Sequence, residues 1–165
     1  MAFESLNDEK INELIVCPKR VTNPGAKSKN KGGHEQFNYK VIATNDSDQH
    51  FEIFKRQNLR EGMKDDFSCG LSWIAPNGEI MTLKRYNGPI HNHPNYLENE
   101  KLGYNCHIHV ATEKYIRANR KAEGFAETTN RYNSVEGAFH CLVVDCKITG
   151  IQTKSDDVSQ TRLEF

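Results

Sequence analysis

Phe67-Ser-Cys-Gly-Leu-Ser-Trp-Ile-Ala-Pro-Asn-Gly-Glu-Ile-Met-Thr-Leu-Lys-Arg-Tyr86 is the stretch on which the fold turns. Two segments rich in strand formers flank Pro76-Asn77-Gly78, a strong turn signal. Phe67–Ile74 and Glu79–Tyr86 therefore read as consecutive antiparallel strands. Upstream, Phe37–Thr44 alternates with Phe37, Tyr39 and Val41 on one side. After the turn Asn45-Asp-Ser-Asp48, the segment His50–Arg56 alternates as well. Downstream, Asn105–Ala111 reads as a fifth strand. Short connections between consecutive strands favour an antiparallel meander.

Helical patterns lie outside this run. Ser5–Val16 is amphipathic through Leu6, Ile11, Leu14 and Ile15, with Ser5 or Asn7 as cap and Pro18 as stop. Glu113–Ala122 follows the fifth strand as a helix. A last helix is expected from Val135 to about Cys146, capped by Asn133-Ser134 and ended by Gly150, although Leu142-Val143-Val144 would also suit a strand. Between the first helix and the strands, residues 19–33 read as a flexible basic loop. It holds Lys19, Arg20, Lys27, Lys29 and Lys31 and no acidic residue. From Thr153 the tail is polar and loose. The expectation is one α+β domain over residues 1–165. It has a twisted antiparallel sheet of about five strands, with N-terminal and C-terminal helices packed on one face.

The 165 residues suffice for one core without staples. Twenty-two basic and twenty-two acidic side chains leave no formal net charge, which argues against global attraction to nucleic acid but permits a local basic patch. Five cysteines without a Cys-x-x-Cys pair suggest reduced thiols in the cytoplasm. No apolar run approaches the roughly 20 residues of a membrane span, and the N-terminus lacks the pattern of a signal peptide. A cytoplasmic protein without membrane association is expected.

The chemistry concentrates in His91, His93, His107 and His109. Alternation in a strand projects His107 and His109 to the same side. Three readings stand side by side. As a metal centre, His91, His93, His107 and His109 would supply imidazole ligands to zinc or another divalent metal, with Glu98 or Glu100 as a base or further ligand. As a metal-free acid/base site, His107 and His109 would exchange protons with RNA, His91 would assist, and Lys84, Arg85 and Tyr86 would meet phosphate or base. As structural residues, they would only hydrogen-bond within a wet loop. Lys27, Lys29 and Lys31 are candidate contacts to a phosphate backbone.

Leu83-Lys-Arg-Tyr-Asn-Gly-Pro-Ile-His91, a variable polar loop and Cys106-His-Ile-His-Val110 resemble a group of small prokaryotic and phage proteins. Their shared pattern is an Arg-Tyr-Asn step, a proline-histidine turn and a His-x-His strand. The outline is distantly similar to the TumE-like toxins of toxin–antitoxin pairs. The resemblance implies Arg85, Tyr86, His91, His107 and His109 as the site, and RNA as the target. The extra His93 and the region Glu113–Tyr132 depart from the pattern.

The leading expectation is a toxin-like or phage-borne small nuclease acting on RNA without a cofactor. One rival is a zinc-type enzyme using the same histidines. Another is a non-enzymatic inhibitor or binding module for a protein partner, such as an antitoxin or a host or phage target.

Overall fold

A computed structural model describes residues 5–45 and 47–156. Its first helix, α1 (Asp8–Val16), starts at Asn7, whose Oδ1 accepts the Lys10 amide at 2.8 Å. Ile11, Leu14 and Ile15 form its buried stripe. The strands follow as β1 (Lys19–Val21), β2 (Lys29–Lys31), β3 (His34–Ala43), β4 (His50–Asn58), β5 (Phe67–Ile74) and β6 (Ile80–Asn87). Then come β7 (Pro94–Asn95), β8 (Glu100–Lys101), β9 (His107–Val110), α2 (Glu113–Arg117), β10 (Phe125–Thr128), α3 (Val135–Asp145) and β11 (Ile148–Thr149).

The main sheet has nine strands in the order β10-β9-β6-β5-β4-β3-β1-β11, with β2 paired to β3 beside β1. All its pairs are antiparallel except β1 with β11. This overturns the five-stranded antiparallel sheet flanked by N-terminal and C-terminal helices. Among the described residues the protein is a mixed, mostly β structure with three α-helices. The extra strands are edge pieces of two to four residues. Alternation over so few positions leaves no periodic signal.

The segment 19–33 needs the same correction, because it is not one loop. Lys19 and Val21 point inward from β1. The Lys19 Nζ donates to the carbonyl oxygens of Ile15, Cys17 and Cys146 at 2.6, 2.9 and 2.9 Å. It joins the C-terminal ends of α1 and α3, where a cation is favoured by the carbonyls' partial charge. Helix α2 stops five residues short of the expected end, and Asn119 adopts a left-handed φ of +56°. Of the tail, residues 157–165 lie outside the described residues. Before them, Asp156 accepts from Asn133 and Ser134 at the start of α3.

One contiguous apolar core joins α1, α3 and one face of the sheet. Val41, Phe51, Ile53, Leu71, Trp73 and Leu83 lie within it. The other face carries polar residues in register. Gln36, Arg56, Ser68, Asn87 and His107 form one row across β3, β4, β5, β6 and β9. The next row holds Asn38, Phe54, Gly70, Arg85 and His109.

A β-bulge creates this arrangement. Leu71 stands opposite Lys84, yet its neighbour Ser72 stands opposite Thr82, so Leu83 is an extra residue in β6. Met81 before it and the extra Leu83 both face the core; after it, Tyr86 does. The change of parity turns Arg85 and Asn87 to the polar face. The carbonyl of Leu83 accepts the Ala111 amide at 2.8 Å, so the irregular backbone is still paired. Among the described residues, no helix is long and apolar enough to cross a membrane.

Candidate metal centre

His107 and His109 reach the polar face from β9, in register with Asn87 and Arg85 of β6. Both are almost fully buried, at 1 % exposure. His93 comes from the loop between β6 and β9. That loop is pinned to the sheet edge by Asn95, whose side chain imitates a strand residue. Its Nδ2 donates to the Ala126 carbonyl at 2.8 Å and its Oδ1 accepts the Ala126 amide at 2.9 Å. Farther along the loop, Tyr115 Oη accepts the Leu97 amide and donates to Glu98.

Nitrogen atoms from His93, His107 and His109 lie within 4.8 Å of one another, the one such group of metal-ligating side chains among the described residues. Each ring has one nitrogen on a backbone carbonyl. His93 Nε2 donates to Gly124 O at 2.7 Å, His107 Nδ1 to Asn105 O at 2.9 Å, and His109 Nδ1 to Glu123 O at 2.7 Å. The resulting tautomers leave a lone pair on His93 Nδ1, His107 Nε2 and His109 Nε2. Metal-bound histidines are oriented in this way by partners on their other nitrogen. The Gly124 carbonyl can take its place because residue 124 has no side chain. A Cβ there would lie 2.5 Å from the Tyr115 ring.

The surroundings favour the neutral form of His107 and His109. Burial lowers the pKa of His107, helped by His93 and Arg85, although the bond to Asn105 opposes it. Burial, then Arg85 and the other two rings, pulls His109 down to about 2. Neutral imidazole is the form that binds a metal.

The other sequence-derived candidates divide between two faces. Arg85 belongs to the site. Burial lowers its pKa while Glu123 favours the charged form, and its Nε is buried without a hydrogen-bond partner. His91 is exposed and falls outside the ligand group, although it borders a cavity with Arg85. Tyr86 and Lys84 stand on the opposite face. Tyr86 donates to Asp145 Oδ2 at 2.6 Å, and Lys84 Nζ lies 3.6 Å from the same oxygen. The Leu83 bulge turns them there, so a role beside the histidines does not fit their position. Glu98 is taken up by Lys114 and Tyr115, and Glu100 by Asn95. Lys29 and Lys31 line a groove of about 320 Å³ with Arg56, and Lys27 is exposed just before them.

Sequence reasoning missed Asn87, Ser68 and Arg56. Ser68 Oγ donates to Asn87 Oδ1 at 2.8 Å, and Asn87 Nδ2 faces His109 Nε2 at 3.4 Å. Their signal was parity relative to His107, legible only once the strand order is known. Set against known protein families, curated proteins and solved structures, the chain matches none.

Proposed function

We propose that this protein is a metal-dependent enzyme in which His93, His107 and His109 hold a zinc-type divalent ion, and that RNA is its substrate. The observation that carries the reading is the convergence of three rings whose second nitrogens are each spent on a backbone carbonyl. Three imidazoles are a catalytic rather than a structural ligand count, because a position stays open for water or a substrate oxygen. The metal-free alternative asks one histidine to donate a proton as imidazolium near neutral pH. Burial beside Arg85 works against that form. RNA is supported by the resemblance of the Arg85–His109 segment to RNA-targeting toxins and by the cations on the same face.

The test is metal analysis of the purified protein together with cleavage of total RNA. About one divalent ion per chain is expected, lost in a His107→Ala/His109→Ala variant. Saturating zinc at about a hundredfold over Kd should stabilise the wild type by roughly 2.7 kcal/mol and leave the variant unmoved. Cleavage should stop in EDTA and return with zinc. Cleavage that persists in EDTA with no metal bound would overturn the proposal in favour of acid/base histidines.

A further inference from the structure

Arg85 Nε is a buried donor with no hydrogen-bond partner among the described residues, an uncommon state in a folded protein. Arg85 borders a cavity of about 260 Å³ together with Arg56, Ser68, Asn87 and His91. Two guanidinium groups, a hydroxyl and an amide on one small cavity suit a phosphate, whose oxygens accept from the planar fork of arginine.

We propose that a single strand of RNA lies across the polar face of the sheet, with one phosphate seated between Arg56 and Arg85 beside the three histidines. This rests on the reading of that site as an RNA-directed metal centre. The path is set by strand register. Lys29, Gln36, Arg56, Ser68, Asn87 and His107 share one row across β2, β3, β4, β5, β6 and β9. The accessible part of the row, from Lys29 to Asn87, spans four strand-to-strand steps of about 4.8 Å, a track of about 19 Å that ends against the buried His107.

The composition of the track fits an extended strand. Lys29 and Arg56 are exposed and carry no ion pair among the described residues. In the neighbouring row the half-exposed ring of Phe54 lies against Gly70, offering an aromatic face to a base. Asp65 and Asp66 close one wall of the cavity. Asp66 is held by Asn58 at 3.1 Å and His34 at 3.4 Å. Carboxylates there disfavour a bare phosphate ion but accept from ribose hydroxyls or base amino groups. With no net charge on the chain, attraction to RNA rests on local cations such as these and not on a global field.

The experiment is fluorescence anisotropy of a short 5′-fluorescein oligouridylate with the full chain in EDTA, where cleavage is off. Arg56→Gln and Lys29→Gln should each weaken binding about three- to tenfold. Each should also make the salt dependence shallower by roughly 0.7 in log–log slope. Arg85→Lys, which keeps the charge but loses the planar fork, should weaken binding about tenfold. Lys10→Gln, on α1, is the control and should change nothing. Zinc content should be unaltered in Arg56→Gln and Lys29→Gln. A wild-type chain that holds zinc but does not bind the oligonucleotide, or variants that bind it as well as the wild type, would overturn this proposal and leave the histidine centre standing. Binding along this track by a chain that takes up no zinc when zinc is supplied without EDTA would support the strand path and overturn the metal reading.

Discussion

Asn87 Nδ2 lies 3.4 Å from His109 Nε2, the nitrogen that carries the ring's lone pair. The amide is aimed there because its oxygen accepts from Ser68 Oγ. Asn87 therefore occupies the direction from which a metal would approach His109. Asn87→Ala should raise zinc affinity several-fold, while the metal-free protein loses about 1 kcal/mol through the unpaired nitrogen. Competition with a chromophoric chelator measures the first effect and thermal melting the second. Unchanged or weaker zinc binding would make Asn87 a support of the site rather than a competitor.

Asn95 is fully buried and bonds both polar groups of Ala126. Asn95→Ala strands those two backbone groups and frees the loop that brings His93. A loss of about 2 kcal/mol is expected, with zinc affinity reduced tenfold or more. Asn95→Asp keeps the acceptor for the Ala126 amide and should fall between. Wild-type affinity in a folded Asn95→Ala protein would show that the loop is held by other contacts.

Lys19 bonds three carbonyls at the meeting point of two helix ends. Lys19→Met keeps the stem buried but removes all three bonds, and should cost about 2 kcal/mol in urea unfolding without altering zinc content. A stability equal to that of wild type would mean that desolvation of the ammonium cancels those bonds.

Burial would raise the Asp145 pKa, but Arg131, Tyr86 and Lys84 together hold it below the usual 3.8. A carboxylate depressed on folding adds stability that is present above its unfolded value and lost as pH falls through the folded one. The melting temperature of wild type should exceed that of Asp145→Asn most at neutral pH, and the gap should close below about pH 4. A gap independent of pH would assign the effect to packing.

How far the sequence could be read depends on segment length. The β5–β6 hairpin announces itself through Pro76-Asn77-Gly78 between two eight-residue strands. His107 and His109 declare their common face through a spacing of two. Ser134 is equally legible as the cap of α3, with its Oγ accepting the Gly137 amide at 3.0 Å. In contrast, β11 is two residues long and pairs with β1 from the other end of the chain, which no local pattern encodes. The choice between His91 and His93 lies in the loop closure made by Asn95, a contact 31 residues distant.

The extra residue at Leu83 makes the site depend on chain length more than on chemistry. The same order of residues in a regular strand would point Arg85 and Asn87 into the core and Tyr86 into the polar row. Substitutions at these positions change one group at a time. Loss of the Leu83 codon would remove the extra residue and leave Thr82 and Lys84 opposite Ser72 and Leu71 in a regular ladder. One further residue inserted there without a second bulge would instead exchange the two faces of the strand's end at once. Sequences that share this chemistry should therefore tolerate varied side chains along β6 and a gap at position 83, yet show no gap from Arg85 to Asn87.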